Sequence, residues 1–388
     1  MKTNFYEFNL KIKIISGENS YEKIPENLKK LNSKNPLFIT DQGIIKAGIF
    51  KKLQSSLGST EIKNGVLFSD VPPDSSFKTV EKIADIYKRN NCDSIIAIGG
   101  GSVIDTAKGV NILVSCNYNS LREIEGADMI KSRLNPFIAI PTTSGTGSEI
   151  TSVAVITDDK TNIKKAFSSE FLLPDCAILD PRSIETLPDK LIITTGLDAL
   201  SHAIESFISI QKNPVSDGFA VMAIKTIVNN LEKGLRDKKA KFNLLNGSLF
   251  AGLAFSNSMV SIVHSIAHAI GGIYHLHHGH IVGLLLPYGL EYNKDVSKDD
   301  YLILSDYFHN NTANIKTIEK ADNFITEVKN FTERMFLKVN LPIRLKELGI
   351  KKDSFDNITD KALLDGSIIF NPKPVYKEDI IKILEKAY

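Results

Sequence analysis

Ser94-Ile95-Ile96-Ala97-Ile98-Gly99-Gly100-Gly101-Ser102-Val103-Ile104-Asp105-Thr106-Ala107-Lys108 reads as strand, turn and helix without interruption. The apolar run is too short for a helix and too apolar for a half-exposed strand, which predicts a buried parallel strand. Three glycines let the backbone turn tightly and approach a ligand. Ser102 is placed to cap the following helix, whose free N–H groups attract an anion such as a pyrophosphate. The order is Gly-Gly-Gly-Ser rather than Gly-x-Gly-x-x-Gly, so the usual dinucleotide fingerprint is absent, and the same residues would also serve a turn without a ligand.

Outward from this segment the pattern repeats. Leu37-Phe38-Ile39-Thr40 and the segment Pro136 to Pro141 read as further short strands. Phe77 to Asn90 carries Val80, Ile83, Ala84 and Tyr87 at helical spacing, and Val153 to Thr157 begins a β segment that turns at Asp158-Asp159. Alternating strands and helices predict an open α/β sheet. A second loop, Pro141-Thr142-Thr143-Ser144-Gly145-Thr146-Gly147-Ser148-Glu149, is too rich in hydroxyls and glycine to build a core, but it can surround phosphate and ribose with donors. Asp41, at the end of an early strand, could accept from a ribose hydroxyl.

After Asp180-Pro181 the β-branched runs nearly vanish, and from Leu191 onward helical periodicity dominates, with Pro287, Pro342 and Pro372 read as punctuation between helices. This predicts an α/β domain carrying the glycine loops over 1–182 and an all-α domain over 183–388. The 388 residues are 43% hydrophobic and 24% charged, ordinary for a globular protein. Lys plus Arg number 47 against 45 Asp plus Glu, without long runs of one sign, so neither a nucleic acid nor a membrane partner is expected. No stretch approaches the roughly 18 uninterrupted apolar residues of a membrane span. Cys92, Cys116 and Cys176 are far apart and odd in number, which fits a reducing, cytoplasmic setting.

Seven of the eight histidines fall between 202 and 280. Asp198 and His202 share one helix face at a spacing of four residues, His264 and His268 repeat that spacing, and His275, His277, His278 and His280 cluster. Carboxylate and imidazole without thiolate suit Fe²⁺ or Zn²⁺.

The sequence resembles the iron-containing (group III) alcohol dehydrogenases, nearest to the propanol and aldehyde–alcohol dehydrogenase branch. The resemblance is carried by GGGSVIDTAK (99–108), PTTSGTGSE (141–149), LLPDCAILDP (172–181), GLDALSHAIE (196–205), HSIAHAIGG (264–272), HHG (277–279) and the ending Asn371-Pro372-Lys373-Pro374. It implies a dehydroquinate-synthase-like fold of an α/β domain and an all-α domain, with metal ligands Asp198, His202, His264 and His278. NAD contacts would fall on Asp41, Gly99, Gly100, Gly101, Ser102, Asp105, Thr142, Thr143, Thr151 and Lys164, and His268 would relay the alcohol proton. The implied activity is hydride transfer between NAD(H) and a short primary alcohol, aldehyde or small diol, in a homodimer or larger homo-oligomer. Where the family has Pro-His-Gly this chain reads His277-His278-Gly279-His280, so His277 and His280 stand as competing ligands. A glycerol-dehydrogenase-like or dehydroquinate-synthase-like enzyme using Zn²⁺, or a non-catalytic metal-storage protein, are the alternative readings.

Overall fold

A computed structural model describes residues 5–58, 60–124, 126–127, 129–161, 163–308 and 317–388. The chain divides into two compact units, Leu10–Leu187, and Pro188–Tyr388 joined by Met1–Asn9. The division falls after the position expected from composition. A short helix, Pro181–Ile184, stays with the first unit, where Arg182 binds Asp180, Glu22 and Ser56.

The first unit contains β1 (Lys13–Ser16), β2 (Pro36–Ile39), β3 (Val66–Phe68), β4 (Ser94–Gly99), β5 (Gly126–Ala127), β6 (Phe137–Pro141), β7 (Val153–Asp158), β8 (Ile163–Ser168) and β9 (Cys176–Leu179). Six strands form a parallel sheet in the order β1-β9-β6-β4-β2-β3. Successive side chains alternate between its faces, and both faces are covered. Leu37, Ile39, Ile95, Ala97, Phe137 and Ala139 enter one apolar cluster, with α1 (Phe77–Arg89) and α2 (Gly101–Cys116). Phe38, Ile96, Ile98, Ile138, Ile140 and Ile178 enter the other. Burial on both faces explains why these strands read as continuous apolar runs rather than alternating ones. The segment from Val153 turns after Asp158 and returns antiparallel as β8, making a small sheet with β5 outside the parallel one.

β2 has β3 on one side and β4 on the other, so the chain reverses its direction of winding there. The carboxyl ends of strands at such a switch point form a crevice that suits a nucleotide.

The second unit is helical. α3 (Asp189–Ile208) is buried along most of its length and packs against α4 (Pro214–Asn230), α5 (Lys238–Phe255) and α7 (His278–Asn293). Among the described residues α3 alone is long and apolar enough to cross a membrane, and its apolar surface is spent on this core. Between α5 and α7 runs α6 (Ile262–Tyr274), which packs on α7 and on α8 (Phe355–Leu363). Pro287 lies inside α7 rather than between helices. A proline there costs a helix about 3 kcal/mol, and the nearly complete burial of α7 offsets that loss.

Candidate active site

In the first unit, the pairing of Gly99 with Pro141 sets the two small-residue loops side by side, and Thr142 N donates to Gly99 O at 3.0 Å. Glycine fits here because side chains at these positions would crowd α2 or the facing loop. A Cβ at Gly99 would lie 2.5 Å from the Val103 side chain, at Gly100 3.2 Å from Thr143, and at Gly101 2.8 Å from Thr146. The N-cap of α2 is Gly100, in extended conformation and with no side-chain cap. Ser102 is therefore not the cap. It sits exposed in the first helical turn, because the helix already begins at Gly101. No side chain takes the first-turn N–H groups at this cap, which keeps the anion-binding character of the helix start.

Asp41 follows β2 and is half-buried, and its Oδ1 caps the short helix Gln42–Lys46 by accepting from Ile44 N at 3.0 Å. Asp41, Gly99 to Ser102, Thr142 and Thr143 thus gather at the carboxyl ends of β2, β4 and β6. Asp105 and Thr151 face other partners. Asp105 Oδ2 accepts from Val155 N at 2.9 Å, and Thr151 binds Lys108. Lys164, on β8, pairs with Asp74 at 2.6 Å.

Lys108 is fully buried and donates to Thr151 O (2.8 Å), Thr151 Oγ1 (3.0 Å) and Val153 O (2.7 Å). Burial lowers its pKa to about 8, against the pull of Asp105 and Glu149. It lies three residues after Asp105 on the same helix, a spacing that sets both on one face.

In the second unit α3 aligns Asp198, His202 and Glu205 at i, i+4 and i+7, all buried. Ligand atoms of Asp198, His264 and His278 lie within 4.8 Å of one another. Asp198 Oδ1 is 3.7 Å from His264 Nε2 and 3.5 Å from His278 Nε2. Asp198 Oδ1 and His264 Nε2 are both buried without a hydrogen-bond partner. Two polar atoms left bare and facing each other fit a cation, and the nitrogen and oxygen donors suit Fe²⁺ or Zn²⁺. His202 stacks on His264 at 4.5 Å and on Phe255 at 4.3 Å, beside the group of three rather than in it.

Burial works against a charged Asp198, but His202, His278 and His264 hold its pKa far below the usual carboxylate range. Burial also disfavours a charged His264, yet Glu205 and Asp198 raise its pKa to about 9. His278 goes the other way, with burial pushing it well below the ordinary imidazole value. Of the neighbouring histidines, His277 is the exposed N-cap of α7, and His280 turns away, bonding Pro342 O at 2.8 Å and packing on Phe336. Gly279 permits the approach of α7, because a Cβ there would lie 2.4 Å from Thr194 O and 3.1 Å from Asp198 Cβ.

His268 stacks on His278 at 5.1 Å, and its Nδ1 bonds Asp365 Oδ2 at 2.8 Å. Although burial raises the pKa of Asp365, the His268 contact holds it well below the carboxylate range. Asp365 had no local sequence signal, being 97 positions from its partner. Glu205 had one, the continuation of the Asp198–His202 face by one more turn.

This doubly wound α/β unit, followed by a helical unit with a carboxylate–imidazole centre, has the form of a metal-dependent dehydrogenase. Residues 12–181 match the family described as iron-containing alcohol dehydrogenase, and residues 192–388 match the family's C-terminal region. The chain is 30% identical over 376 residues to the NAD-dependent methanol dehydrogenase of Bacillus methanolicus, covering 96% of this chain and 97% of that one. It is 34% identical over 391 residues to the NADPH-dependent butanol dehydrogenase of Clostridium saccharobutylicum, covering 98% and 97%. A crystal structure of a 1,3-propanediol oxidoreductase superposes with a TM-score of 0.93 at 29% identity, over 99% of this chain and 100% of that one. The chain belongs to the iron-containing alcohol dehydrogenases and is an alcohol oxidoreductase.

Proposed function

We propose that this chain interconverts short primary alcohols, small diols among them, and their aldehydes with NAD(H), at a divalent Fe²⁺ or Zn²⁺ held by Asp198, His264 and His278 with His202 beside them. The observation that carries this is the pair of buried, unpartnered atoms Asp198 Oδ1 and His264 Nε2, with His278 Nε2 in the same space. When bound, the cation supplies Lewis-acid polarisation of the alcohol or aldehyde oxygen, and the nicotinamide takes or gives the hydride.

The chain's own residues supply binding, orientation and proton handling. The N–H groups at the uncapped start of α2 and the hydroxyls of Thr142 and Thr143 bind the pyrophosphate and ribose, and Asp41 accepts from the ribose and repels a 2′-phosphate. Asp105 and Thr151 tie α2 to the segment after the second loop through Val155 and Lys108, and Lys164, paired with Asp74, stands as a further cofactor contact. His268, donating through Nδ1 to Asp365, keeps Nε2 as the atom that receives the alcohol proton. Beyond it, Gly271 and Gly272 carry no side chain that would crowd a small substrate. The relatives named for methanol and butanol support a short chain. Three free cysteines support a reducing cytoplasmic setting, and homo-oligomeric assembly follows the family resemblance.

The test is anaerobic reconstitution with Fe²⁺ or Zn²⁺, followed by NADH formation from a series of short alcohols and diols. His264→Ala and His278→Ala are expected to lose both metal and turnover. His268→Ala is expected to keep its metal, lower kcat and alter the pH–rate profile of alcohol oxidation. A full equivalent of metal with normal turnover in His264→Ala would overturn the ligand assignment.

A further inference from the structure

We infer that Glu205 is a positioning residue of the metal centre: its buried carboxylate sets the tautomer and orientation of His264, and through them the affinity of the site for a divalent cation. The inference rests on the reading of Asp198, His264 and His278 as ligands. Glu205 is 1% exposed and makes three hydrogen bonds, all to the start of α6. Oε1 accepts from Ser261 Oγ at 2.7 Å and from Val263 N at 2.9 Å, while Oε2 meets His264 Nδ1.

An ionised carboxylate only accepts, so His264 must place a proton on Nδ1 to satisfy it. In the neutral ring the lone pair then stands on Nε2, the atom that faces Asp198 Oδ1 at 3.7 Å. The two bonds to Ser261 and Val263 fix the carboxylate itself, so the ring is held at one end by a group that cannot swing. A carboxylate behind a ligating imidazole fixes its orientation and raises its basicity.

An amide at this position could not do the same. Three donors converge on two carboxylate oxygens, whereas Gln offers one acceptor oxygen and an NH₂ that opposes a donor. His264 would be released toward the opposite tautomer, with a proton on the nitrogen that should face the cation. A merely structural role for Glu205, tying α6 to α3, predicts something different: loss of stability in the metal-free chain without a specific loss of affinity.

The experiment is titration of the full-length, metal-free chain with Co²⁺ and Zn²⁺, read by the Co²⁺ absorption bands and by competition with a chelating dye. Thermal unfolding of the metal-free chain is measured in parallel. Glu205→Gln is expected to weaken both metals by about 10–100-fold with altered Co²⁺ bands. Ser261→Ala, which removes one of the two bonds that fix the carboxylate but leaves Val263 N and His264 paired with it, is expected to weaken binding by clearly less than Glu205→Gln. If Glu205→Gln does not fold, Glu205→Asp serves instead. It keeps two acceptor oxygens but retracts them by one methylene, and is expected to bind more weakly than wild type. Equal affinity in a folded Glu205 variant, or a loss in Ser261→Ala as large as in Glu205→Gln, would overturn the inference. Failure of the wild-type chain to bind either metal would instead overturn the ligand reading on which it stands.

Discussion

Asp41, Glu149 and Glu205 carry the same functional group into three environments, and each environment gives it a different task. Asp41 is half-buried and spends Oδ1 on a helix cap, so replacement by glycine would remove cap and charge together. Asp41→Asn separates them by keeping a capping oxygen. It is expected to narrow the preference for NAD(H) over NADP(H) by about tenfold or more, with less than about 0.5 kcal/mol change in stability. Comparing kcat/KM for both cofactors checks this, and an unchanged ratio would remove Asp41 from cofactor selection. Glu149 is 2% exposed, and its Oε1 has no hydrogen-bond partner. Burial raises its pKa from 4.5 to about 7, only partly countered by its own backbone N–H and by Lys108. A carboxyl whose folded pKa is raised contributes stability that is complete below its unfolded value and lost as pH rises through about 7. Glu149→Gln is therefore expected to be more stable than wild type at pH 8, by up to about 3 kcal/mol, with the difference shrinking toward pH 5. Urea midpoints at the two pH values measure it, and a pH-independent difference would count against the burial argument.

At the scale of elements, contacts between helices and strands place the chemistry. Gly279 lets α7 approach α3 so that His278 reaches Asp198. Gly279→Ala sets a methyl carbon 2.4 Å from a backbone carbonyl oxygen, which cannot move without shifting α3. The expected outcome is about 1–3 kcal/mol of destabilisation together with loss of metal affinity, read by unfolding and by Co²⁺ titration. Lys108 does the corresponding work in the first unit, tying α2 to the backbone at Thr151 and Val153. Lys108→Met keeps the apolar stem but removes the ammonium's bonds to Thr151 and Val153, leaving the buried Thr151 O without that donor. It should raise the Kd for NADH by about tenfold or more at about 1–3 kcal/mol in stability, with metal stoichiometry unchanged. Calorimetric titration with NADH measures this, and an unaltered Kd would confine Lys108 to folding.

For the whole molecule, a metal at the proposed site would be thermodynamically linked to the fold. Asp198, His264 and His278 come from three helices that converge only in the folded second unit, so the unfolded chain offers no equivalent site. Zn²⁺ at one hundred times its Kd is expected to stabilise the protein by about 2.7 kcal/mol, reversed by chelation and absent in His264→Ala. Calorimetry with and without a chelator checks it, and an unchanged Tm in the wild-type chain would mean that these three residues do not form a folding-linked site.

The sequence alone determined whatever depends on neighbours along the chain. Apolar runs fully buried in the parallel sheet, the glycine turn after Ile98 and the four-residue spacing of Asp198 and His202 are local patterns, and period and spacing expose them directly. β1 and β9 were not read as strands from the sequence, since what makes Lys13–Ser16 and Cys176–Leu179 strands is their pairing with each other across the chain. Tertiary structure alone decided which of the clustered histidines join the carboxylate. His278 and His280 are two residues apart, but helix geometry sends one toward Asp198 and the other onto Pro342 and Phe336. It also decided the partners behind the site, since Glu205 reaches the start of α6 and Asp365 reaches His268 through contacts between segments far apart in sequence. Burial made those contacts consequential: a buried imidazole or carboxylate must find a partner or a cation, and only the packed fold determines which.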